Sequence, residues 1–486
     1  MKAHILLLAA AIPLAAADFH LDCASGDDAA DASSPATAWK TTARASRHTF
    51  GPGDRLLLKR GITCEGPLAP KGSGAPGNPA VVTAYGAGPA PRVHAPGAPA
   101  AVALFNQSHW RLEDFEAGGS TDFGIHVSGD RGTLRNIELR DLFVRDVHGK
   151  LTTKNSGLVV VESREKALFE DILIDGVTAE STSQWAGIIV NGGPMNNPAP
   201  ERRSRGVIIR NSIARDVYGD GIVLFQVEDG LIERSAAWHT GMEHRQTIGT
   251  PNGIWTWSCT RCIVRQSEAF WIDSPGVDGG AFDIDWGNTH NTVEESYGHD
   301  TQAYCIAVFA AARRVTSESL VRDNVCAGNG RSPRLARHHG AIHLFTWNGG
   351  TLDGVRLERN LIEWSPPVPT PAIKDEAEWA TARRAALVGN IIRPAPRLLR
   401  PWTSATLAIR RDDSPDGRAL RVIAESARAQ FTALGLKIVE STGTPQVTLT
   451  GPSGSLERSW KGYAPAKDIL FLLRQRFGEP RHVAQP

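Results

Sequence analysis

The sequence predicts an all-β protein whose main body is a parallel β-helix, a solenoid of stacked coils, followed by a small α/β domain. Short apolar strands recur behind a small residue at intervals of 24 to 36 residues, and no helix-length amphipathic segment separates them. After the Pro-rich stretch WSPPVPTPA, strand and helix signals alternate instead. These observations predict a repetitive β-fold with an unrelated C-terminal addition.

The composition is that of a folded, turn-rich chain with almost no net charge. Among 486 residues, 53 are Lys or Arg and 52 are Asp or Glu, so the basic excess needed for non-specific nucleic-acid binding is missing. The 48 Gly and 30 Pro accompany 41% hydrophobic residues, which indicates many turns rather than disorder. We expect a monomer with no nucleic-acid partner.

The first 17 residues have the pattern of a secretory signal peptide. A basic start precedes the apolar run 5–14, which ends in Ala15-Ala16-Ala17 before a polar residue. No later stretch approaches the ~20 apolar residues of a membrane span. The sequence therefore predicts a secreted or periplasmic protein without a membrane span.

Export makes disulfides plausible for the six cysteines. They form three pairs in the sequence: Cys23 with Cys64, Cys259 with Cys262, and Cys305 with Cys326. The first pair lies in two early strand-like runs and predicts a disulfide, whereas the third pair is predicted either to pack or to form a further bridge. The middle pair is a CxxC that follows a strand, not one that opens a helix, so neither a redox role nor a metal site is predicted.

The repeats define which side chains face the core. Eight small residues lead them: Gly124, Gly157, Gly187, Gly221, Gly253, Ala281, Cys305 and Ala341. Because side chains alternate along a strand, the first and third residues after each are predicted to point inward. The inward pairs are Ile125/Val127, Leu158/Val160, Ile188/Val190, Ile222/Leu224 and Phe282/Ile284. A β-propeller would need more regular repeats with four strands each, so the solenoid is favoured.

Residues 18–100 are predicted to form an N-terminal cap and the first coils, and residues 101–365 the β-helix. The order SPATAWKT, then FGPGDRLLLKRGITCEGPLAPKGSG, then GNPAVVTAYGAG resembles the start of secreted right-handed parallel β-helix proteins of the pectin-lyase-like superfamily. The stretch DGGAFDIDWGNTHNTVEESYGHD is similar to a coil of that group. The resemblance implies a right-handed parallel β-helix and a carbohydrate-active protein, while the reaction differs among its members.

A Pro-rich linker with a helix-like run, AEWATARRAALV, is predicted over 366–400, and a small α/β module over 401–486. Within the module, RALRVIAES predicts a strand, ARAQFTALG a helix, LKIVEST a strand, VTLTGPSGSLERSW a hairpin and AKDILFLLRQRFG a final helix. The part from Thr444 to Leu449 onward resembles a truncated thioredoxin-like module. No cysteine follows Cys326, so a redox function is not predicted.

The outward positions of two neighbouring coils carry the strongest functional signal. Trp255 and Trp257 point outward on one coil, and Asp283 and Asp285 on the next, about 4.8 Å away. Aromatic rings stack on sugars, while two close carboxylates raise the pKa of one of them, so that one acts as acid and the other as base or nucleophile. Their Cβ atoms should lie roughly 6.5–7 Å apart, a spacing that favours an inverting glycosidase.

Further candidates surround this pair. Asp278, His299 and Asp300 are predicted in the adjoining turns, where His299 would orient a carboxylate or shuttle a proton and either aspartate would complete the site. The long connection TGMEHRQTIGTPNG, which carries His244 and Arg245, is predicted to overhang the groove and bind substrate. Each of these residue types also occurs in ordinary turns.

Three functions fit these residues. The favoured one is a glycoside hydrolase that cleaves a polysaccharide or oligosaccharide with paired aspartates and no cofactor. The second is a Ca²⁺-dependent polysaccharide lyase with four aspartate ligands: Asp278, Asp283, Asp285 and Asp300. A lyase also needs a basic residue, and the lysines in the coils are predicted to lie several coils away, namely Lys150, Lys154 and Lys166. An arginine would then take this role: Arg245, Arg261, Arg313 or Arg314. The third is a non-catalytic glycan-binding surface protein.

Overall fold

The computed structural model describes residues 16–193, 202–241, 248–398 and 400–480. Its main body is a parallel β-helix, as predicted, with three long parallel sheets whose strands follow one another coil by coil. Every neighbouring pair within these sheets is parallel and in register. The described residues contain no helix long and apolar enough to cross a membrane.

Three sheets, named here sheet 1, sheet 2 and sheet 3, form the walls of the solenoid. Sheet 1 contains Asp18–Leu21, Arg55–Lys59, Ala80–Tyr85, Trp110–Glu113, Thr133–Arg140, Leu168–Asp175, Ser204–Arg210, Val227–Glu228, Leu231–Glu233, Ile263–Arg265, Thr292–Glu294, Leu320–Arg322, Arg356–Glu358 and Ala386–Val388. Sheet 2 contains Thr63–Glu65, Arg92–His94, Glu116–Gly118, Phe143–Val147, Thr178–Thr182, Ile213–Val217, Ala236–Thr240, Glu268–Ile272, Tyr297–His299, Val325–Ala327, Leu361–Glu363 and Ile391–Arg393. Sheet 3 contains Ala100–Phe105, Phe123–Gly129, Gly157–Ser163, Ala186–Asn191, Asp220–Phe225, Ile254–Trp257, Phe282–Ile284, Ile306–Ala310, Ile342–Thr346 and Ile373–Glu376.

Sheet 3 is built from the strands that the sequence repeats predicted, and its register confirms the inward positions with one exception. Ile125 pairs with Val159, not with Leu158, so the strand that begins at Gly157 is shifted by one residue. Val159 and Val161 therefore belong to the central core, while Val160 packs on the outer face. Leu158 lies in the central core as predicted, whereas the prediction of Val160 as inward is wrong, because Gly157 pairs with Ala186 and so precedes the aligned position by one.

The ends of the solenoid differ from the predicted boundaries. At the N-terminal end, the 3₁₀ turn Pro35–Thr37 and the helix Thr42–Ala45 flank the buried Trp39, which caps the first coil. Two short pairs of strands add to the coils: Thr49–Phe50 with Lys71–Gly72, and Val315–Ser317 with Thr351–Asp353. All three sheets continue past the predicted end at 365: sheet 3 to Glu376, sheet 1 to Val388 and sheet 2 to Arg393. The helix predicted for AEWATARRAALV is absent from this described segment, which supplies strand Ala386–Val388 instead.

The cysteine pairs follow the predicted pattern. The predicted Cys23–Cys64 disulfide is present, and Cys305 and Cys326 form a second one. Cys259 and Cys262 are free thiols in the core of the solenoid. Asn324, Asn360 and Asn390 form a ladder of side-chain hydrogen bonds at one corner, with 3.0 and 2.8 Å between successive amides.

Replacing both Cys305 and Cys326 by alanine should lower the free energy of unfolding by about 3 kcal/mol, because the bridge restricts a short loop in the unfolded chain. The two residues are 21 positions apart in the sequence. Urea denaturation followed by tryptophan fluorescence measures the change. An unaltered midpoint in the double variant would contradict this contribution.

The C-terminal domain is a four-stranded sheet with two helices. Its strands are Ala405–Arg411, Leu436–Thr442, Gln446–Thr450 and Leu456–Lys461, and its helices are Pro415–Phe431 and Ala466–Phe477. The first two strands are parallel, and the hairpin of the last two joins the first strand antiparallel. The strand predicted for RALRVIAES is wrong: those residues form the middle of the first helix, where Leu420, Ile423 and Ala427 recur with helical spacing on its buried face.

This domain packs on the outer face of sheet 2. Val325, Tyr297 and Ala327 share a buried apolar cluster with its helices. Arg474 donates a 2.6 Å hydrogen bond to Asp300, and Gln430 donates one of 2.8 Å to Glu268. The C-terminal domain and the solenoid therefore share one continuous buried interface.

Candidate active site

The outer face of sheet 3 gathers the predicted functional side chains. Trp255 pairs with Asp283 on adjacent strands, and both point away from the core. A further outward position lies just before the small residue of each repeat. It carries Asp220, Asn252 and Tyr304 in three of these coils, and all three side chains reach the same region.

Four carboxyl groups, named here the aspartate cluster, meet at this face: Asp220, Asp278, Asp283 and Asp285. Asp283 is only 2% exposed, and Asp220 is completely buried. Asp278 and Asp285 are partly exposed, so within the cluster these two carboxyl groups are accessible to a bound molecule. The predicted association of Asp278, Asp283 and Asp285 is thus present in the structure.

Burial dominates the electrostatics of the cluster. Burial, together with the charges of Asp285, Asp278 and Asp220, raises the pKa of Asp283 well above its usual value. Burial also raises the pKa of Asp285 and of Asp278, and it raises that of Asp220 to about 6. The cluster therefore holds protons at pH values where isolated aspartates are ionised.

Each carboxyl group has a different set of partners. Asp220 accepts hydrogen bonds from the Trp185 indole and from the backbone N–H of Asn252. Asp285 Oδ1 accepts a 2.7 Å hydrogen bond from the backbone N–H of Trp286. Asp283 Oδ2 lies 3.2 Å from Asn252 Nδ2, whereas its buried Oδ1 has no hydrogen-bond partner among the described residues. Of Asp283 and Asp285, Asp285 is thus the better placed to carry a negative charge, and Asp283 to keep a proton.

A lysine also reaches the cluster, contrary to the prediction that the lysines of the coils lie far from it. Lys154 belongs to the connection that precedes strand Gly157–Ser163, and its Nζ lies 4.9 Å from the centre of the Trp185 ring. A Cβ on Gly249 would come within 2.3 Å of that Nζ, so this glycine makes room for the lysine. The charge of Lys154 lowers the pKa values of Asp220, Asp278 and Asp285 against the larger effect of burial.

Aromatic side chains border the cluster on both sides. Trp257 makes edge contacts with Phe225 and Trp286 on one side of Asp285. On the other side, two strands further along sheet 3, Phe345 stacks on Trp347, which is 40% exposed. Beyond Phe225, the face is covered by a buried apolar cluster: Leu151, Val160, Trp185, Ile189 and Val223. Aromatic side chains therefore lie on the outer face of sheet 3 on both sides of the strand that carries Asp283.

Two predicted catalytic residues lie elsewhere. His299 belongs to sheet 2 and is completely buried, where its ring nitrogens contact Glu268 at 3.0 Å and Asp300 at 2.8 Å. Asp300 also pairs with Arg474 of the C-terminal domain. The strands Phe282–Ile284 and Tyr297–His299 are on different walls of the same coil. The prediction that His299 and Asp300 lie beside Asp283 is therefore wrong, because it relied on their proximity in sequence. His244 and Arg245, predicted to bind substrate, lie outside the described residues.

The aspartates do not fit the predicted Ca²⁺ site. Asp300 is remote, and both oxygens of Asp220 already accept N–H donors. Thr250 and Tyr304 contact the two oxygens of Asp278. Within the described ranges, no group of three or more His, Cys, Asp or Glu side chains is arranged to hold a metal ion. Both oxygens of Asp220 and of Asp278 thus face protein donors, while Asp283 Oδ1 has no hydrogen-bond partner among the described residues.

Sequence reasoning missed Asp220, Asn252 and Tyr304 because it examined only the positions after each small residue. The signal was present one position earlier: Asp before Gly221, Asn before Gly253 and Tyr before Cys305. The sequence has no comparable signal for Lys154, because this residue lies in a connection between strands. It reaches the aspartate cluster only through the path that the connection takes over sheet 3.

Replacing Asp283 by asparagine should stabilise the protein at pH 8 and have little effect at pH 4. An unfolded aspartate ionises near pH 3.9, whereas the raised pKa keeps Asp283 protonated in the folded state, so wild-type stability falls as the pH rises above about 4. Asparagine cannot ionise, so the variant does not have this loss. Each unit of difference between the folded and unfolded pKa of Asp283 changes the free energy of unfolding by about 1.4 kcal/mol. Thermal unfolding measured from pH 4 to pH 8 gives the effect. Asp375→Asn, at an exposed position, is the control. The same pH dependence of stability in wild type, Asp283→Asn and Asp375→Asn would contradict the prediction.

Comparison with known proteins supports the fold. No protein-family model and no curated protein matches the sequence. Among solved structures, the GH136 lacto-N-biosidase from Eubacterium ramulus matches with a TM-score of 0.64 and 18% identity over 78% of this chain and 68% of that chain. The native form of that protein gives 0.61 at the same identity and coverage. Pectate lyase Pel9A matches with a TM-score of 0.41 and 16% identity over 64% of this chain and 76% of that one. The resemblance to pectin-lyase-like β-helix proteins is thus confirmed for the fold.

Proposed function

We propose that the protein is a secreted, monomeric glycoside hydrolase that cleaves a polysaccharide or oligosaccharide. The observation that carries the proposal is the aspartate cluster with raised pKa values beside aromatic side chains on the outer face of sheet 3. Carboxyl groups that differ in protonation are what glycosidic cleavage requires. The matched β-helix proteins act on carbohydrates, and the two disulfides and the predicted signal peptide agree with export.

Exposure assigns the roles within the cluster. A catalytic group must touch the sugar, and Asp278 and Asp285 are the partly exposed carboxyl groups. Asp285, with the Trp286 N–H on one oxygen, supplies the carboxylate that attacks the sugar or activates water. Asp278 supplies the proton for the departing oxygen. Asp283, which the sequence predicts to react directly, is only 2% exposed; burial and the charge of Asp285 raise its pKa, so it stays protonated while Asp285 is ionised.

The partly exposed aromatic side chains also support a mode of binding. Trp286 and Phe345 offer ring faces or edges to a saccharide. Trp255 and Trp257, predicted to bind sugar, are only 5% and 6% exposed and pack in the buried apolar cluster instead. Because the apolar cluster around Trp185 covers one end of this face, we propose that the enzyme takes the end of a saccharide chain.

Lyase activity is the second candidate, and Lys154 is the observation that favours it. An elimination needs a base near the uronate, and Lys154 is the cation close to the cluster. The poor fit of the aspartates to Ca²⁺ argues against it.

A substrate screen separates these functions. The purified protein is incubated with neutral and uronate-containing saccharides, with and without chelator, and reducing ends and the absorbance of unsaturated sugar are recorded. The hydrolase should release reducing ends without unsaturated product and irrespective of chelator. Chelator-sensitive unsaturated product would establish the lyase, and retention on a glycan without any product would establish a binding protein.

A further inference from the structure

We infer that Asn252 and Tyr304 hold Asp278 in its protonated form, so that they act as positioning residues for the proton donor of the proposed hydrolase. The inference rests on the proposed function for its catalytic meaning. The protonation itself follows from counting hydrogens along the chain of contacts that links Gly280, Asn252, Tyr304 and Asp278.

The orientation of the Asn252 amide is fixed by a backbone group. The Gly280 N–H lies 2.9 Å from Asn252 Oδ1, and because a backbone N–H only donates, the atom that faces it must be the amide oxygen. Nδ2 then faces Asp283 Oδ2 at 3.2 Å. Asn252 is 2% exposed, so water has little access to this arrangement.

Tyr304 uses its single hydroxyl hydrogen on this amide. Tyr304 Oη lies 2.8 Å from Asn252 Oδ1, and an amide oxygen has no hydrogen to give, so the tyrosine must donate. The ring can lie there only because residue 280 is glycine: a Cβ at this position would come within 1.9 Å of Tyr304 Cε2. Tyr304 is completely buried, which leaves no solvent alternative for its hydroxyl.

The remaining contact assigns the proton on Asp278. Tyr304 Oη also lies 3.2 Å from Asp278 Oδ1. With its hydrogen on Asn252, the tyrosine can only accept at this contact, so the hydrogen must belong to the Asp278 carboxyl group. Thr250 donates to the other oxygen, Oδ2. Burial is the largest influence on the pKa of Asp278 and raises it, while the hydrogen bond from Thr250 and the charge of Lys154 lower it.

In the reaction, the proton moves from Asp278 to the glycosidic oxygen. The electron pair of the breaking carbon–oxygen bond stays on that oxygen, and Asp278 becomes a carboxylate. If Asp285 has attacked the sugar, the water that completes hydrolysis returns a proton to Asp278; if Asp285 activates the water instead, Asp285 takes that proton and exchange with solvent restores the one on Asp278. Tyr304 therefore stabilises the acid before the reaction, and its removal should matter most when the leaving group needs protonation.

Tyr304→Phe tests the inference. Tyr297→Phe is the matched control, because Tyr297 is also fully buried but lies on sheet 2, away from the aspartate cluster. In Tyr304→Phe, the alkaline limb of kcat/KM should move to lower pH, because the protonated form loses its acceptor. Turnover of saccharides should fall about 10- to 100-fold, while aryl glycosides with good leaving groups should be cleaved at nearly the wild-type rate. A pH profile and a leaving-group dependence identical to wild type would overturn the inference.

Infrared difference spectroscopy supplies a readout that does not depend on activity. At neutral pH, wild type minus Asp278→Asn should show a protonated-carboxyl band, and Tyr304→Phe should shift that band to higher frequency. Absence of the band would overturn the inference. A wild-type protein that shows the band but hydrolyses no saccharide would refute the proposed function and leave the protonation of Asp278 established.

Discussion

Asp285→Asn should reduce kcat on saccharide substrates by about 10³-fold or more while leaving the fold intact. Asp285 is the partly exposed carboxyl group that accepts a backbone hydrogen bond, and it lies between aromatic side chains on both sides. Asparagine keeps the shape and the acceptor for the Trp286 N–H but can neither attack the sugar nor deprotonate water. KM should change little, because the aromatic contacts remain.

Asp375→Asn is the matched control for this prediction. Asp375 lies on the last strand of the same sheet, is exposed, and pairs with Arg384 at 2.9 Å. Its replacement should leave kcat and KM unchanged. Asp285→Asn with more than a tenth of wild-type activity, and with a native circular dichroism spectrum, would exclude Asp285 as a reacting group.

Arg474→Ala should destabilise the whole protein by about 3 kcal/mol, because a buried carboxylate loses its buried arginine partner. Arg474 is 6% exposed and donates to Asp300, which also contacts His299 and Arg331. The C-terminal domain therefore stabilises the coil that carries the aspartate cluster, although it lies on another wall. Denaturant unfolding should show one transition in wild type and a lower midpoint in the variant.

The pH dependence of this ion network has the opposite sign to that of the aspartate cluster. The charges of Arg474 and His299, with a hydrogen bond from His299, lower the pKa of Asp300 against its burial. The resulting stability is present above pH 4 and is lost as the pH falls below the unfolded value near 3.9. Arg474→Ala should weaken this loss of stability on acidification.

Arg131→Ala is the control for the size of the effect. It removes an exposed ion pair and should lower the free energy of unfolding by less than about 1 kcal/mol. An Arg474→Ala variant as stable as this control would contradict a stabilising role for the buried ion pair with Asp300.

The sequence predicted the solenoid well because each strand of sheet 3 has its own local signal. A small residue followed by alternating apolar residues recurs from Gly124 to Ala341, and stacking turns this period into a sheet. Val160 was wrongly predicted to point inward because Leu158, Val159 and Val160 are all apolar. Only the register of the neighbouring strands decides which of these side chains face the core. The first helix of the C-terminal domain was missed because VIAES is short and apolar enough to suit either structure.

The site was predicted in part for the same reason. Asp283 and Asp285 lie on a strand whose alternation is visible in the sequence, and Trp255 and Trp257 follow from the same register. His299 and Asp300 were misplaced because sequence distance does not tell which wall of a coil a residue joins. Lys154 and Thr250 reach the cluster from connections, whose paths have no periodic signal.

The mass balance of the cleavage products tests the central claim most directly. A purified oligosaccharide that the protein cleaves is digested briefly, and all products are weighed by mass spectrometry. Hydrolysis by the aspartate cluster predicts product masses that sum to the substrate plus one water, with no cleavage by Asp285→Asn. Products whose masses sum to the substrate alone, with one product unsaturated, would show elimination and contradict the account.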